Sequence, residues 1–477
     1  MLSSDSKHYD FNIDILFIIP PFHMRNGGGC FFPLGVGYII AEVENAGYTW
    51  ATINCTEYIN SFYDDDLKKL SEELKESLSK YHPSIIGIGP CTTTQLRALK
   101  VLSGVCKEVM PNVPVFAGGP LASIDGQEWV FYEELGIPYL IKGDGELAVI
   151  EAIRAVKEYG NVSNSHCVSH SGYSHMNYIK DIDSLPFPYR EFSDKNIFSI
   201  RRTGNSNLKS AAMITSRGCP YSCNYCVSGN IKYNNNNKFR KRSIKNIIDE
   251  METLKQQNVD DIVFYDDCFF PFPRKVNQDV SEFFMSLNDR NIQMKWQIEM
   301  RPDVFCMLSK ESIQKLHDVG CRQISLGIEK SSQNGLIFLG KQNCWTSLRE
   351  QIKRVKLLTD ISIAATFILG GKNETYEEII ELIKKSMELQ LDFAHYNPLF
   401  IYPGTPIYSS KFQDNKKWAQ IIFKDDLPWG EIVYENSHLK RDDLLNLVDY
   451  AYSQFYNDTV HTGQPMIIDR FKLKRRI

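Results

Sequence analysis

From Ile13 to about Lys157, short β-branched runs alternate with stretches of helical periodicity. The pattern predicts strands at Ile15 to Ile19, Thr49 to Ile53, Ile85 to Ile88, Val113 to Ala117 and Tyr139 to Ile141. Between them Gly35 to Ala46, Leu67 to Tyr81, Gln95 to Met110 and Trp129 to Leu135 carry apolar residues at helical spacing. Strands alternating with helices imply a parallel sheet covered on both faces, an α/β, doubly wound Rossmann-like domain of about 150 residues. Pro20 and Pro21, Gly89 to Thr94, Gly118 to Pro120 and Gly143 to Glu146 gather at the carboxyl ends of these strands. Open parallel sheets bind ligands there, so these loops form one expected pocket rim; the alternative is that they are only tight strand-to-helix turns.

The periodicity is lost between residues 160 and 200, where Leu185-Pro186-Phe187-Pro188 marks a connecting segment. It resumes from Ala211 to about Ser410, with strands predicted at Ala212 to Ser216, Ile262 to Tyr265, Lys295 to Ile298, Gln323 to Gly327, Ala364 to Leu369 and Ala394 to Ile401. Six such units predict a partial (β/α)6 barrel rather than a flat sheet. Asn234 to Asn237 reads as a mobile polar loop. After Pro406 the pattern turns helical, with Arg441 to Tyr456 the clearest amphipathic stretch, and the chain ends in a basic tail, Arg470 to Ile477, read as a solvated end. The expected organisation is a first domain over residues 11–160, a linker over 161–205, a barrel over 206–410 and a helical C-terminal segment over 411–477.

Composition agrees with two or three compact units in 477 residues: 43% hydrophobic, 23% charged, and a formal net charge of -4. Without an excess of Lys and Arg, a nucleic acid is a poor partner. Met1 to Asp14 lacks the basic start and apolar core of a secretory signal, and no apolar run reaches the ~18 to 20 residues that span a bilayer. The expectation is a cytoplasmic protein with no membrane insertion. Its twelve cysteines are then expected to be reduced, so a tight cysteine group reads as a metal or redox site.

One such group follows the first strand of the second region: Thr215-Ser216-Arg217-Gly218-Cys219-Pro220-Tyr221-Ser222-Cys223-Asn224-Tyr225-Cys226. Thiolates suit an iron-sulfur cluster, and three ligands leave one iron open to a small molecule. Zinc normally takes four ligands from paired couples, and no second couple lies nearby.

The CxxxCxxC loop, with Tyr225 before its last cysteine, resembles the signature of the radical S-adenosylmethionine (SAM) superfamily. The resemblance implies a 4Fe-4S cluster on Cys219, Cys223 and Cys226, SAM bound to the open iron, and reductive cleavage to a 5'-deoxyadenosyl radical. The backbone around Tyr225 would touch the adenine. Asp266 and Asp267 stand where many members carry Gly-Gly-Glu, and resemble the branch with an N-terminal cobalamin-binding domain; a helix N-cap or a solvated turn is the alternative. Trp296 to Asp303 and Leu326 to Ser331 look like the third and fourth strands of that branch, so Arg301 and Glu329 would help to position SAM or substrate. Gly370 and Gly371 resemble the fifth-strand glycines near the adenine, and Tyr402 to Pro406 the end of the sixth strand.

In the first domain Pro33 to Tyr38, Gly87 to Pro90, Ala117 to Pro120 and Gly143 to Glu146 resemble cobalamin-domain loops. Gly35, Thr92, Thr93, Gly118, Gly119, Gly143 and Glu146 would then line the cobalamin. No Asp-x-His-x-x-Gly motif occurs in the first 150 residues, so such a histidine would not hold its lower face. The implied reaction is methyl transfer to an unactivated carbon of a small-molecule or peptide substrate, with an electron donor such as flavodoxin or ferredoxin. Cyclisation or rearrangement is the alternative within the branch; a methylthiotransferase would need a second cluster site, which the first region lacks. A cobalamin or metal sensor is the non-enzyme alternative.

Overall fold

The computed structural model describes residues 11–21, 33–58, 64–191, 209–231, 239–342, 344–412, 414, 416–424 and 431–457. Asn234 to Asn237 and the tail from Arg470 lie outside them, as do residues 1–10 of the N-terminal stretch.

The apolar runs of the first region form β1 (Phe11–Ile19), β2 (Trp50–Asn54), β3 (Tyr81–Ile88), β4 (Val115–Gly118) and β5 (Tyr139–Gly143). All pair in parallel in the order β2-β1-β3-β4-β5, so the order reverses between β1 and β3 and puts a topological switch point there. Helices Leu34–Asn45, Asp64–Leu78, Leu96–Val109 and Glu146–Tyr159 cover the two faces.

Two expectations need correction. Trp129 to Leu135 makes only a π-helical turn, Val130–Glu134, because the left-handed glycines Gly126 and Gly136 bracket it and leave too few residues for a helix. The connecting segment is partly built into the first sheet. Met176–Asn177 forms β6 against β5, and the Asn177 amide donates to the carbonyls of Lys142 and Cys167.

The second region contains β7 (Ser210–Met213), the short pair β8 (Ser216–Arg217) and β9 (Arg240–Lys241), then β10 (Asp261–Phe264), β11 (Lys295–Met300), β12 (Cys321–Glu329), β13 (Ser362–Leu369) and β14 (Phe393–Pro398). Omitting the β8–β9 hairpin, these six strands run parallel in sequence order from β7 to β14. β7 and β14 are the two ends of that order, so the barrel is an open arc of six strands. Trp296, Ile298, Met300, Leu326, Phe367 and Tyr396 join the core beneath the helices. Strand alternation therefore turns Gln297, Ser325, Gly327, Thr366 and His395 toward the lumen.

Both edges of the arc are covered by side chains. The Arg190 guanidinium donates to the Ala212 carbonyl of β7 at 2.9 Å. On β14 the hydroxyls of Tyr452 and Tyr456, from helix Arg441–Asn457, accept the N–H groups of Tyr396 and Ala394. An unpaired edge strand exposes groups of this kind, and pairing them removes the penalty of burying them. The segment before this helix reaches the other way: Trp418 of helix Lys417–Lys424 donates to the Gln127 side chain at 2.7 Å. The expected C-terminal helices are present, and they tie both modules together. Among the described residues no helix is long and apolar enough to cross a membrane.

Candidate functional site

The carboxyl ends of the two sheets face each other. Ile124, after β4, packs against Gly404, after β14, so closely that a Cβ on the glycine would lie 2.7 Å from it. Gly143 to Glu146, after β5, meets Arg217 at the start of the cysteine loop.

That loop leaves the barrel at β8 and returns at β9. Its Asn224 anchors it to helix Gln333–Leu339 through N–H to the Leu339 carbonyl (3.0 Å) and Nδ2 to the Phe338 carbonyl (2.9 Å), while the Asn224 carbonyl accepts Ile407 N–H. Asn230 Nδ2 donates to the carbonyls of Cys223 and Cys226 and curls the chain between them. Gly229 is required there, since a Cβ would stand 1.9 Å from the Tyr221 carbonyl oxygen. The three cysteines thus share one short, fixed turn. All three thiols are free of disulfides; Cys223 is buried and Cys219 and Cys226 half-buried. Burial, opposed by the Tyr221 amide and reinforced by Asp267 and the other two thiols, pushes Cys219 up to about 11. Among the described residues no group of three or more His, Cys, Asp or Glu is gathered to hold a single ion. Cluster thiolates attach to different irons and need not converge on one point, so an all-cysteine set on one loop fits a cluster.

The two aspartates after β10 divide. Asp266 is buried behind the loop, where it accepts Thr215 N–H and the hydroxyls of Thr215 and Ser216, tying β10 to the loop's root. Burial outweighs these bonds and raises its carboxyl to about 6. Asp267 turns to the open side, held by the Ser228 side chain, and its charge is felt by Cys219 and Cys226. The structure therefore places Asp267, but not Asp266, beside the thiols.

Arg301, after β11, lies with Nη1 3.7 Å from Cys223 Sγ, its guanidinium 3.7 Å above the Tyr221 ring and paired to Asp303 at 2.9 Å. Glu329 ends β12 at a register shift, with a left-handed φ of 67°. Its carboxylate accepts the Tyr225 hydroxyl and Lys341 Nζ, both at 3.0 Å, and Thr366 Oγ1 at 3.4 Å. Tyr225 is thereby fixed through its hydroxyl rather than left free. At the end of β13 the Gly370 carbonyl accepts buried Lys330, the Gly371 carbonyl accepts Asn436, and Leu444 sits 3.1 Å from where a Gly370 Cβ would be. Both glycine carbonyls are thus occupied within the protein.

In the first domain Gly35 lies on the first turn of its helix, and a Cβ added there would meet nothing within 4 Å, an open approach. Thr92 and Thr93 belong to a capped turn whose Gln95 reaches the Pro21 carbonyl across the switch point at 3.3 Å. Gly118 accepts Cys91 N–H, and Gly119, at φ 118°, could not carry a Cβ because it would lie 2.5 Å from that nitrogen. Gly143 and Glu146 behave otherwise. Asn177 O would be 2.2 Å from a Gly143 Cβ, and Glu146 is buried against Arg217 at 2.5 Å. These two residues serve the junction between modules. The motifs contain Asp144 and Arg217, but nothing in the sequence pairs residues so far apart, and Arg240 and Lys341 carry no signal at all.

The Radical SAM superfamily profile matches residues 213–385, and that of the B12 binding domain matches residues 22–153. An uncharacterized methyltransferase, PH0819, of Pyrococcus horikoshii is 24% identical over 93% of this chain and 92% of its own length. An anaerobic magnesium-protoporphyrin IX monomethyl ester cyclase of Rubrivivax gelatinosus is 24% identical over 96% and 80%. Among solved structures, the radical SAM methyltransferase TsrM of Kitasatospora setae superimposes with a TM-score of 0.60 at 16% identity, over 83% of this chain and 74% of that one. The cobalamin-dependent radical enzyme OxsB does so with 0.66 at 15%, over 93% and 67%. The chain thus carries a B12 binding domain and a Radical SAM domain in succession, the domain pairing of cobalamin-dependent radical SAM enzymes.

Proposed function

We propose that this enzyme transfers a methyl group to an unactivated carbon of a small-molecule or peptide substrate. The reading rests on one observation: three unpaired thiols on a single fixed loop stand where the carboxyl ends of a cobalamin-type sheet and of an open barrel meet. Cys219, Cys223 and Cys226 would hold the cluster. When bound, cluster and SAM supply a carbon-centred radical and cobalamin carries the methyl group, the hard chemistry that cofactors bring.

The chain's own residues bind and orient. Arg301 presents a cation beside Cys223 and Asp267 an anion beside Cys219 and Cys226, flanking a zwitterionic ligand such as SAM. Glu329, fixed by Tyr225 and Lys341, offers a rigid acceptor at the mouth of the lumen. Gly35, Thr92, Thr93, Gly118 and Gly119 form the rim at the first sheet's switch point, where backbone can approach a large planar ligand. Gln297 turns toward the lumen, and neither of its amide atoms has a partner among the described residues, a feature suited to orienting a polar substrate group. A flavodoxin or ferredoxin would deliver the electron.

The test is anaerobic reconstitution with iron, sulfide and hydroxocobalamin, followed by assay of bound iron, bound cobalamin and 5'-deoxyadenosine under reduction. Both cofactors and SAM cleavage are expected, with iron and cleavage lost on replacing the three cysteines by Ala. A well-loaded sample that cleaves no SAM would sink the reading. The relative named as a cyclase, matched across nearly the whole chain, favours a second reading, cyclisation. Deuteromethyl-labelled SAM separates the two, since only methyl transfer puts label into product.

A further inference from the structure

We propose that Asp144 is a positioning residue that pins both ends of the cysteine loop to the first domain. The loop is closed at its base by the antiparallel pair β8–β9, in which Arg217 stands opposite Arg240. Both arginines reach the same carboxylate. Arg217 Nη1 lies 2.9 Å from Asp144 Oδ1, Arg240 Nη2 lies 3.2 Å from the same oxygen, and Arg240 Nη1 bonds Oδ2. Ile179 N–H adds a bond to Oδ2 at 2.7 Å. Glu146 takes the other arm of Arg217, so two cations meet two anions in a neutral quartet of which Asp144, Glu146 and Arg240 are buried and Arg217 is half-buried. Tyr38 lies beneath Arg217 and Tyr178 beneath Arg240.

A charge-neutral quartet of this kind holds only while all its members are in place, because losing one anion strands a buried cation. The turn that carries Asp144 is itself stiff: Gly143 has φ 79° and no room for a Cβ. Any displacement of this turn, which lies at the junction between the modules, therefore moves residues 217 and 240 together. The geometry of the cluster loop and the position of the turn after β5 are mechanically linked through one carboxylate. The inference rests on the loop's holding a cluster.

The experiment compares full-length wild type, Asp144→Asn, Glu146→Gln and the remote destabilised variant Tyr456→Phe, each reconstituted anaerobically with iron and sulfide. Two properties are read: the rate at which a chelator strips iron, and the electron paramagnetic resonance spectrum of the reduced cluster with and without SAM. Asp144→Asn is expected to lose iron about tenfold faster than wild type and to give a broadened spectrum with an altered response to SAM. Glu146→Gln, which frees only one arm of Arg217, is expected to show about two- to threefold faster loss, and carries the test alone if Asp144→Asn does not fold. Tyr456→Phe should match wild type in both. Unchanged rates and spectra in the Asp144 and Glu146 variants, or equal changes in Tyr456→Phe, would overturn the proposal. A wild type that takes up no iron would instead overturn the cluster reading on which it rests.

Discussion

The hydroxyl of Tyr456 meets both backbone groups of Ala394, accepting its N–H at 3.1 Å and donating to its carbonyl at 3.0 Å. One side chain thus replaces the neighbouring strand that β14 lacks. Tyr456→Phe keeps the ring and removes both bonds, and should lower stability by about 1–3 kcal/mol. Urea denaturation of the two proteins checks this; equal midpoints would show that solvent serves the edge as well as the tyrosine does.

Asp266 predicts a pH dependence. Burial raises its folded carboxyl to about 6, above the ordinary 3.8 that it regains on unfolding. Folding therefore takes up a proton in this window. Its contribution to stability is complete below 3.8 and is lost as pH rises through about 6. Relative to Asp266→Asn, in which the group cannot titrate, wild type should lose about 2–3 kcal/mol of stability between about pH 4 and pH 7.5. A pH-independent difference between the two proteins would remove the assigned shift.

Glu329 is the counter-charge of Lys341, and both side chains are more than nine-tenths buried. Glu329→Ala strands that cation with the Gly327 carbonyl as its remaining partner and should destabilise the fold by about 3–5 kcal/mol. Glu329→Gln still accepts from Tyr225 and should recover part of the loss. Formation of 5'-deoxyadenosine should fall about tenfold or more in both, since both lose the fixed carboxylate charge at the lumen mouth. Chemical denaturation and the cleavage assay, run side by side, separate the two effects.

Gln297 is 4% exposed, and among the described residues neither its amide nitrogen nor its amide oxygen has a partner. Burying an unmatched amide opposes folding, so Gln297→Leu should raise stability by about 1–3 kcal/mol, read as a higher melting temperature. A lower melting temperature would show that the amide is satisfied in solution.

The parts of this fold that depend on apolar runs were legible. Ile15 to Ile19 and Ala364 to Leu369 are short, dense and apolar but for Thr366, and buried parallel strands need little else. The two-residue β6 was not, because Met176 and Asn177 form a strand only through pairing with Lys142 and Gly143. At the site, the cysteine spacing is local and therefore readable. Asp266 and Asp267 are equivalent in sequence yet opposite in structure, since one step past a strand turns a side chain to the other face. The ties from Asp144 to Arg217 and Arg240 bridge separate modules, which residue patterns cannot report.

The open arc has a consequence for the breadth of chemistry such a scaffold can host. In a closed barrel, strand number and shear dictate the bore, and altering it means rebuilding the sheet. Here the rim strands end against Arg190 on one side and two tyrosines on the other, groups that belong to separate parts of the chain. The gap between those ends is set by whatever leans against them. Re-sculpting the flanking linker or the terminal helix would therefore resize the chamber for a different guest while the six strands, and the cysteine turn they support, stay as they are.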